Sequence, residues 1–308
     1  TMTRRPGELG YVKSPKPSVF DAKEKDLKFQ IASDIHLEFY NLNQSEDEAK
    51  NKEDREELFC KLLTPSAPYL ALLGDIGLPA NETFGKIYAD LLAWCAIHWE
   101  EVWVVSGNHE YYKSDNIETE EAISMACKQA GDNVVYMQNT TLIREGVRVC
   151  GSSLWSFIPG EVGSDTYNNI HMRLSDYKHI SIREGSAKRA LEPKDTHRWH
   201  LEHVTWIKEQ ISEAQESGQP MVVLSHHAPS MNCSEPDIPA SDPMSHAFCT
   251  ELEELFEDPI VIWAYGHTHY PFNEKYGTTQ VVSNPVGYPF EYPEPYGRPY
   301  LSNFVLQA

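Results

Sequence analysis

This chain of 308 residues lacks the apolar segments that secretion or membrane insertion requires. No stretch approaches the ~20 consecutive apolar residues of a transmembrane helix, and residues 1–26 contain no apolar core of a signal peptide. Cysteine is scarce, with six residues in the chain, and no two of them stand in a C-x-x-C arrangement. This pattern predicts reduced thiols rather than a disulfide framework. We therefore expect a cytoplasmic protein that has no membrane partner.

Basic residues are also few, because 26 Lys and Arg face 46 Asp and Glu and leave a net charge of −20. Proteins that bind nucleic acid depend on Lys and Arg at the phosphates, so a nucleic-acid partner is disfavoured. It is not excluded, since bound cations can reverse the field inside a cleft. A small soluble substrate is the more natural partner. The sequence leaves the oligomeric state open.

The chain has no internal repeat and no linker between two self-sufficient halves. Apolar strand-like runs alternate with helical patterns, which predicts an α/β fold with a largely parallel or mixed sheet. We expect an N-terminal extension at residues 1–26 and one domain at residues 27–308. Helices are predicted at 118–130, 196–216 and 247–256. Residues 156–195, 229–246 and 284–300 lack a regular pattern, and such long loops often form the rim of a site.

Five stretches of the chain end a strand-like apolar run with a residue that can bind a metal. Because strands of open α/β sheets end at one rim, these residues can converge on a single site. A strand places residues i and i+2 on one side, so each D-x-H or H-x-H pair can face one place if extended geometry continues. Imidazole and carboxylate groups together suit Mn, Fe or Zn. The stretches are Asp34-Ile35-His36, Gly74-Asp75, Gly107-Asn108-His109-Glu110, His226-His227 and Gly266-His267-Thr268-His269.

These blocks read D-x-H, G-D, G-N-H-E, H-H and G-H-x-H in order across residues 34–269. In this order they resemble the calcineurin-like metallophosphoesterase superfamily. The resemblance implies a sandwich of two mixed β-sheets flanked by helices. The Ser/Thr protein phosphatases of that superfamily carry G-D-x-V-D-R-G at the second block. Residues 74–80 lack the Asp-Arg pair, which argues against that branch.

The resemblance further implies two divalent or trivalent metal ions, bridged by the carboxylate of Asp75. Either histidine of the 226/227 pair can serve as a ligand; we prefer His226, and His227 is the alternative. The first ion would be held by Asp34, His36, Asp75 and His269, and the second by Asp75, Asn108, His267 and one histidine of that pair.

The same resemblance assigns His109 beside the phosphate, as general acid to the leaving oxygen or as a stabiliser of charge. Glu110 would orient a ligand or His109, although an ordinary surface or helix-start acid is an equal alternative. Arg173, together with His171 and Lys178, could supply positive charge to a phosphate. The implied reaction is hydrolysis of a phosphomonoester or phosphodiester by a metal-bridging hydroxide. The alternative is a non-catalytic metal-binding or scaffolding protein of the same fold.

Overall fold

The computed structural model describes residues 26–43, 45–233, 242–291 and 299–308. The N-terminal extension expected at residues 1–26 lies outside the described residues, apart from Asp26. The described chain forms two large mixed β-sheets flanked by helices, so the predicted fold class is confirmed. Across these ranges, none of the helices has the length and apolar character that crossing a bilayer demands.

The first sheet has five strands, of which four run parallel. In spatial order, the parallel strands are β1 (Lys28–Ala32), β2 (Tyr69–Leu73), β3 (Glu101–Val105) and β4 (Val134–Tyr136). The C-terminal strand β13 (Val305–Gln307) pairs antiparallel with β1 at the edge. The outer face is covered by helices α1 (Glu48–Leu62), α2 (Gly85–His98) and α3 (Asn116–Ala130).

The second sheet has six strands, with a parallel centre and an antiparallel strand at each edge. Its spatial order is β11 (Phe272–Tyr276), β12 (Thr279–Ser283), β10 (Ile260–Tyr265), β9 (Met221–Ser225), β6 (Val147–Ser152) and β5 (Thr140–Arg144). The long helix α6 (Pro193–Ser217) packs on its outer face through Val204, Ile207 and Ala214.

Side chains of the central strands alternate between two apolar layers. In β3, Val102 and Val104 face the helices, whereas Trp103 and Val105 lie between the two sheets. Strands buried on both faces read as continuous apolar runs, which is why the sequence signal is strong here. Because the central strands run parallel, the residues that follow β1, β2, β3, β9 and β10 come to one edge of the sandwich.

The segment 156–195, expected to be irregular, contains regular structure. It forms α4 (Asp165–Arg173), α5 (Asp176–His179) and a hairpin of β7 (Ser181–Glu184) and β8 (Ala187–Ala190). These elements are held by a separate apolar cluster that includes Trp155, Ile170, Tyr177 and Leu191. The short elements carry too few apolar residues to give a periodic signal, so their structure depends on this packing.

The helix predicted at residues 247–256 is wrong. Helix α7 covers only Ser245–Phe248, and a 3-10 turn follows at Glu253–Leu255. Between them the backbone pairs with the segment after β9: Ala228 N–H donates to Phe248 O, and Thr250 N–H donates to Ala228 O at 3.0 Å. These strand-like hydrogen bonds replace the ones that a continued helix would make.

Candidate metal centre

Asp34, His36 and His269 form a first cluster of candidate ligands at the common strand edge. One candidate ligand atom from each lies within 4.8 Å of the others. The Nε2 atoms of His36 and His269 are 3.0 Å apart, and His269 Nε2 is 3.5 Å from Asp34 Oδ1. Asp34 and His36 are fully buried. The fold thus brings together the first and last blocks, although Asp34 and His269 are 235 positions apart in the sequence.

Asp75, His226 and His267 form the second cluster, again with ligand atoms within 4.8 Å of one another. His226 Nε2 lies 3.4 Å from Asp75 Oδ1 and 3.1 Å from Asn108 Oδ1. The other oxygen of Asp75, Oδ2, lies 3.9 Å from His36 Nε2 in the first cluster. One carboxylate therefore faces both clusters, which is the arrangement that a bridging ligand needs.

The ligand residues adopt left-handed backbone conformations. Ten non-glycine residues in the described chain have positive φ, and half of them are candidate ligands. Such a conformation costs on the order of 1–3 kcal/mol and persists where the surrounding structure imposes it. The prediction that extended geometry continues past the strand ends is therefore wrong. Left-handed turns orient these side chains instead. The ligands concerned are Asp34, His36, Asp75, His267 and His269, with φ of 55°, 53°, 53°, 69° and 52°.

Three of the candidate ligand histidines are oriented by an oxygen at Nδ1. His226 Nδ1 donates to Leu73 O at 2.7 Å, His36 Nδ1 contacts Glu38 Oε1 at 3.2 Å, and His269 Nδ1 contacts Glu291 Oε2 at 3.0 Å. An acceptor at Nδ1 fixes the tautomer and leaves the Nε2 lone pair for a metal. Asn108 is oriented similarly, because its Nδ2 donates to Asp176 Oδ1 at 2.9 Å.

The donor set fits metal ions. Burial lowers the pKa of His267 well below its usual value, and its Nε2 is buried without a hydrogen-bond partner among the described residues. A neutral imidazole with an unpartnered nitrogen suits a metal ligand. Burial alone would lower the pKa of His226, but Asp75 raises it to about 9. The negative potential that favours a proton there also favours a metal cation.

A family model described as calcineurin-like phosphoesterase matches residues 27–271 of this chain. The chain belongs to the calcineurin-like phosphoesterase family. Uncharacterized protein L509 of Acanthamoeba polyphaga mimivirus is 26% identical over 286 residues, which cover 88% of this chain and 95% of that protein. The solved structure of phosphopantetheinyl hydrolase PptH from Mycobacterium tuberculosis shares the fold, with a TM-score of 0.65 and 19% identity. That match covers 92% of this chain and 96% of PptH.

In this phosphoesterase, the two histidines of the 226/227 pair point to different neighbours. His227 packs between Trp155 and His267, with ring centroids 5.1 Å and 4.1 Å away, and lies outside the second cluster. Burial lowers its pKa well below the usual value. The geometry therefore favours His226 as the ligand, and His227 supports the ring of His267.

Glu110 is fully buried, so it is not the surface acid that was one alternative. Its Oε2 accepts from the backbone N–H of Asp75 at 2.9 Å and of Gly107 at 2.7 Å, and its Oε1 accepts from Ile76 N–H at 2.8 Å. Burial raises the pKa of Glu110 to about 7. The side chain ties the loop after β2 to the loop after β3, and so it positions Asp75 through the backbone rather than orienting His109.

Close packing of these two loops explains the glycine at position 107. A Cβ atom built on Gly107 would overlap the Asp75 carboxylate and the Asp75 backbone nitrogen. Only a residue without a side chain allows the two loops to approach this closely. The glycine of the third block is therefore a requirement of the bridging carboxylate.

His109 lies beside these clusters and, with His36 and Glu38, forms a further group whose candidate ligand atoms lie within 4.8 Å of one another. Its Nδ1 is 2.8 Å from Glu38 Oε1, its ring stacks on Tyr112 at 4.1 Å, and its Nε2 is 3.3 Å from Tyr288 Oη. Burial alone would lower the pKa of His109, but Asp75 and a hydrogen bond to Glu38 raise it to about 9. The neighbouring carboxylates therefore favour the protonated form of this imidazole.

Arg173 does not join the site. It is exposed at the end of α4, and Asn169 Oδ1 is its hydrogen-bond acceptor at 3.4 Å. The segment folds as a helix that carries this side chain into solvent. Lys113 instead lines a cavity together with His109 and His179.

Sequence reasoning missed Glu38, Asp176, Tyr288 and Glu291. The oxygen Oε1 of Glu38 contacts both His36 and His109, and these hydrogen bonds lower its pKa to about 2 although burial opposes the shift. Its place two residues after His36 was a signal within the first block. The other three lie in the segments 156–195 and 284–300, which lack a regular sequence pattern and gave no such signal.

Proposed function

We propose that this protein hydrolyses a phosphomonoester or phosphodiester of a small soluble substrate at a dinuclear metal site. The observation that carries the proposal is the Asp75 carboxylate, which faces two ligand clusters at once with protonated His109 beside it. The first ion would be held by Asp34, His36, Asp75 and His269, and the second by Asp75, Asn108, His226 and His267.

Metal ions bound there would neutralise charge on the phosphoryl oxygens and lower the pKa of a bound water, which is chemistry suited to phosphoester hydrolysis. The ligand types suit Mn, Fe or Zn. Asn108 is a neutral ligand, and it limits the negative charge that faces an anionic substrate.

His109 would act on the leaving group. Its Nε2 carries a proton at neutral pH and can donate it to the departing alcohol oxygen. Glu38 holds Nδ1 and so keeps Nε2 turned toward the substrate side. In the structure this Nε2 lies 3.3 Å from Tyr288 Oη.

The proposal is tested with para-nitrophenyl phosphate and bis(para-nitrophenyl) phosphate in the presence of Mn²⁺, Fe²⁺ or Zn²⁺. His109→Ala should retain its metal content and lose about 10²–10⁴-fold in kcat. The matched control is His98→Ala, which replaces an exposed histidine on α2 and should behave like the unaltered protein.

Equal metal-dependent rates for the unaltered protein and His109→Ala would overturn the role of His109. Metal binding with no turnover of either ester would favour the scaffolding alternative. The ratio of the two ester rates also decides between monoester and diester preference. A small phosphorylated partner and a cytoplasmic location stay predictions from the sequence.

A further inference from the structure

A cavity of about 450 Å³ opens beside His109. This volume falls within the usual range of sites for small molecules. His109 and Glu38 form part of its wall, so the cavity adjoins the group that would protonate a leaving oxygen. Much of the remaining wall is apolar and comes from Phe39, Leu78, Phe84, Tyr112, Tyr288 and Phe290.

The aromatic part of this wall is open to solvent. Phe39 is 44% exposed and Phe290 is 69% exposed, although their rings contact each other at 5.7 Å. Phe290 also stacks on Tyr288 at 5.0 Å, with 13° between the ring planes. Neighbouring exposed aromatic rings at the mouth of a cavity mark a binding surface for an apolar group. A flat ring would fit this surface, since aromatic groups pack by stacking or edge-to-face contact.

Another part of the wall is polar and carries the ammonium group of Lys113. Lys113, Ser175 and His179 line it, and Lys113 N–H donates to His179 O at 2.8 Å, which holds the two residues side by side. Lys113 has a left-handed φ of 63°. Within the ranges that the structure describes, Lys113 has no ion-pair partner. In a chain with 46 acidic residues, an unpaired lysine at a cavity offers a place for the negative charge of a ligand.

We propose that this cavity binds the alcohol part of the substrate, and that this part combines a flat aromatic ring with a further anionic group. The inference rests on the proposed phosphoesterase function. In that reaction, water adds to phosphorus and the phosphorus–oxygen bond to the alcohol breaks. The departing oxygen takes up a proton released by the attacking water. The alcohol would lie in this cavity, because His109 and Glu38, which adjoin the ligand clusters, form part of its wall. The aromatic wall would contact the ring of the alcohol, and Lys113 would contact its anionic group.

Two esters whose alcohols have nearly the same acidity provide the first test. Ethyl phosphate and benzyl phosphate differ in the ring, and not appreciably in the reactivity of the leaving group. We expect kcat/KM for benzyl phosphate to exceed that for ethyl phosphate by about 10-fold or more, since a single methylene in an apolar pocket can already give that factor. Phe290→Ala should reduce the ratio toward one. Phe157→Ala removes another exposed ring, which lies outside the cavity, and should leave the ratio unchanged.

The anionic group is tested with 4-carboxybenzyl phosphate. It should be a better substrate than benzyl phosphate by up to about 5-fold at low salt, because an exposed charge pair contributes up to about 1 kcal/mol. Lys113→Gln should abolish this difference. Lys128→Gln, which removes an exposed lysine on α3, is the matched control and should preserve it.

Binding of benzylphosphonate and ethylphosphonate, measured by calorimetry on metal-loaded protein, separates the two proposals. If neither phosphate ester is hydrolysed but benzylphosphonate binds more tightly and Phe290→Ala removes the difference, the cavity assignment stands and the proposed reaction fails. If both esters are hydrolysed with equal kcat/KM and both phosphonates bind equally, the reaction stands and the cavity assignment is overturned. A Lys113→Gln variant that retains the preference for 4-carboxybenzyl phosphate would overturn the anionic part.

Discussion

Two groups of buried and half-buried histidines in this protein have different surroundings. The strand-edge histidines follow β1, β9 and β10 and face the carboxylates of Asp34 and Asp75. The helix histidines, His197, His200 and His203, stand three residues apart along α6 and contact neutral groups. The comparison teaches that histidine spacing does not make a metal site. The candidate metal centre differs from the helix group in having buried carboxylates beside its histidines.

The partners of the helix histidines illustrate this difference. His200 Nδ1 donates to Trp155 O at 2.7 Å, and His203 Nε2 accepts from Gln138 Nε2 at 2.9 Å. With no carboxylate beside them, burial lowers the pKa of His200 to about 4 and of His203 to about 3. These imidazoles stay neutral and serve packing between α6 and the second sheet.

Replacement of the bridging carboxylate should have the largest effect. Asp75→Asn removes the charge that both clusters share, and we expect metal affinity to fall by more than the ~10–100-fold typical of indirect partners. Hydrolysis of para-nitrophenyl phosphate should fall with it. His203→Gln is the control from the helix group, and metal analysis with a rate assay checks both variants. Similar losses in the two variants would break the comparison.

Removal of Glu110 should loosen the strand-edge group alone. Glu110→Ala leaves three buried N–H groups without their acceptor, at about 1–3 kcal/mol each. We expect the free energy of unfolding of the metal-free protein to drop by about 3 kcal/mol or more in urea denaturation. Glu216→Ala, an exposed position on α6, should change it by less than ~0.5 kcal/mol. An unchanged midpoint for Glu110→Ala contradicts its role between the two loops.

Glu38 is a carboxylate that contacts two strand-edge histidines, and the helix histidines contact no such group in the described chain. Glu38→Gln keeps the size of the side chain but weakens its contacts with His36 and His109. We expect kcat to fall by about 10–100-fold. Because the other ligands remain, metal content at saturating metal should be unchanged, as measured by elemental analysis. Loss of metal in parallel with rate would instead assign Glu38 to the metal centre itself.

The helix histidines should make the free energy of unfolding depend on pH. The pKa of His200 is about 4 in the folded chain, against about 6.5 in the unfolded chain. As pH falls from 6.5 to 4, the unfolded chain takes up a proton that the folded chain does not. The free energy of unfolding therefore falls, by up to about 1.4 kcal/mol per pH unit.

His200→Gln removes this titration and should flatten the slope in that window, as measured by urea denaturation at several pH values. Above pH 6.5 both forms of His200 are neutral and the slope contribution vanishes. A steeper slope in His200→Gln than in the unaltered protein would contradict the neutral, buried state of this imidazole.

The part of the site that could be predicted from the sequence consists of the residues that directly follow the parallel strands. Parallel strands buried on both faces give continuous apolar runs, so the strand ends and the residues after them can be read directly. Asp34, His36, Asp75, Asn108, His267 and His269 were named in this way. The helix predicted at 247–256 failed because its apolar spacing does not report the hydrogen bonds that Thr250 makes with Ala228.

The order of the blocks, the types of ligand and the parallel strands that carry them were determined by the sequence itself, because each has a local signature. The family resemblance implied which ligands share a cluster, but only the tertiary structure decided how they meet, since left-handed turns rather than extended strands aim their side chains. It also brought Glu38 between His36 and His109 and set the aromatic wall beside them. Contacts between residues far apart in the chain leave no local pattern, because their energy arises only when the sheets have packed.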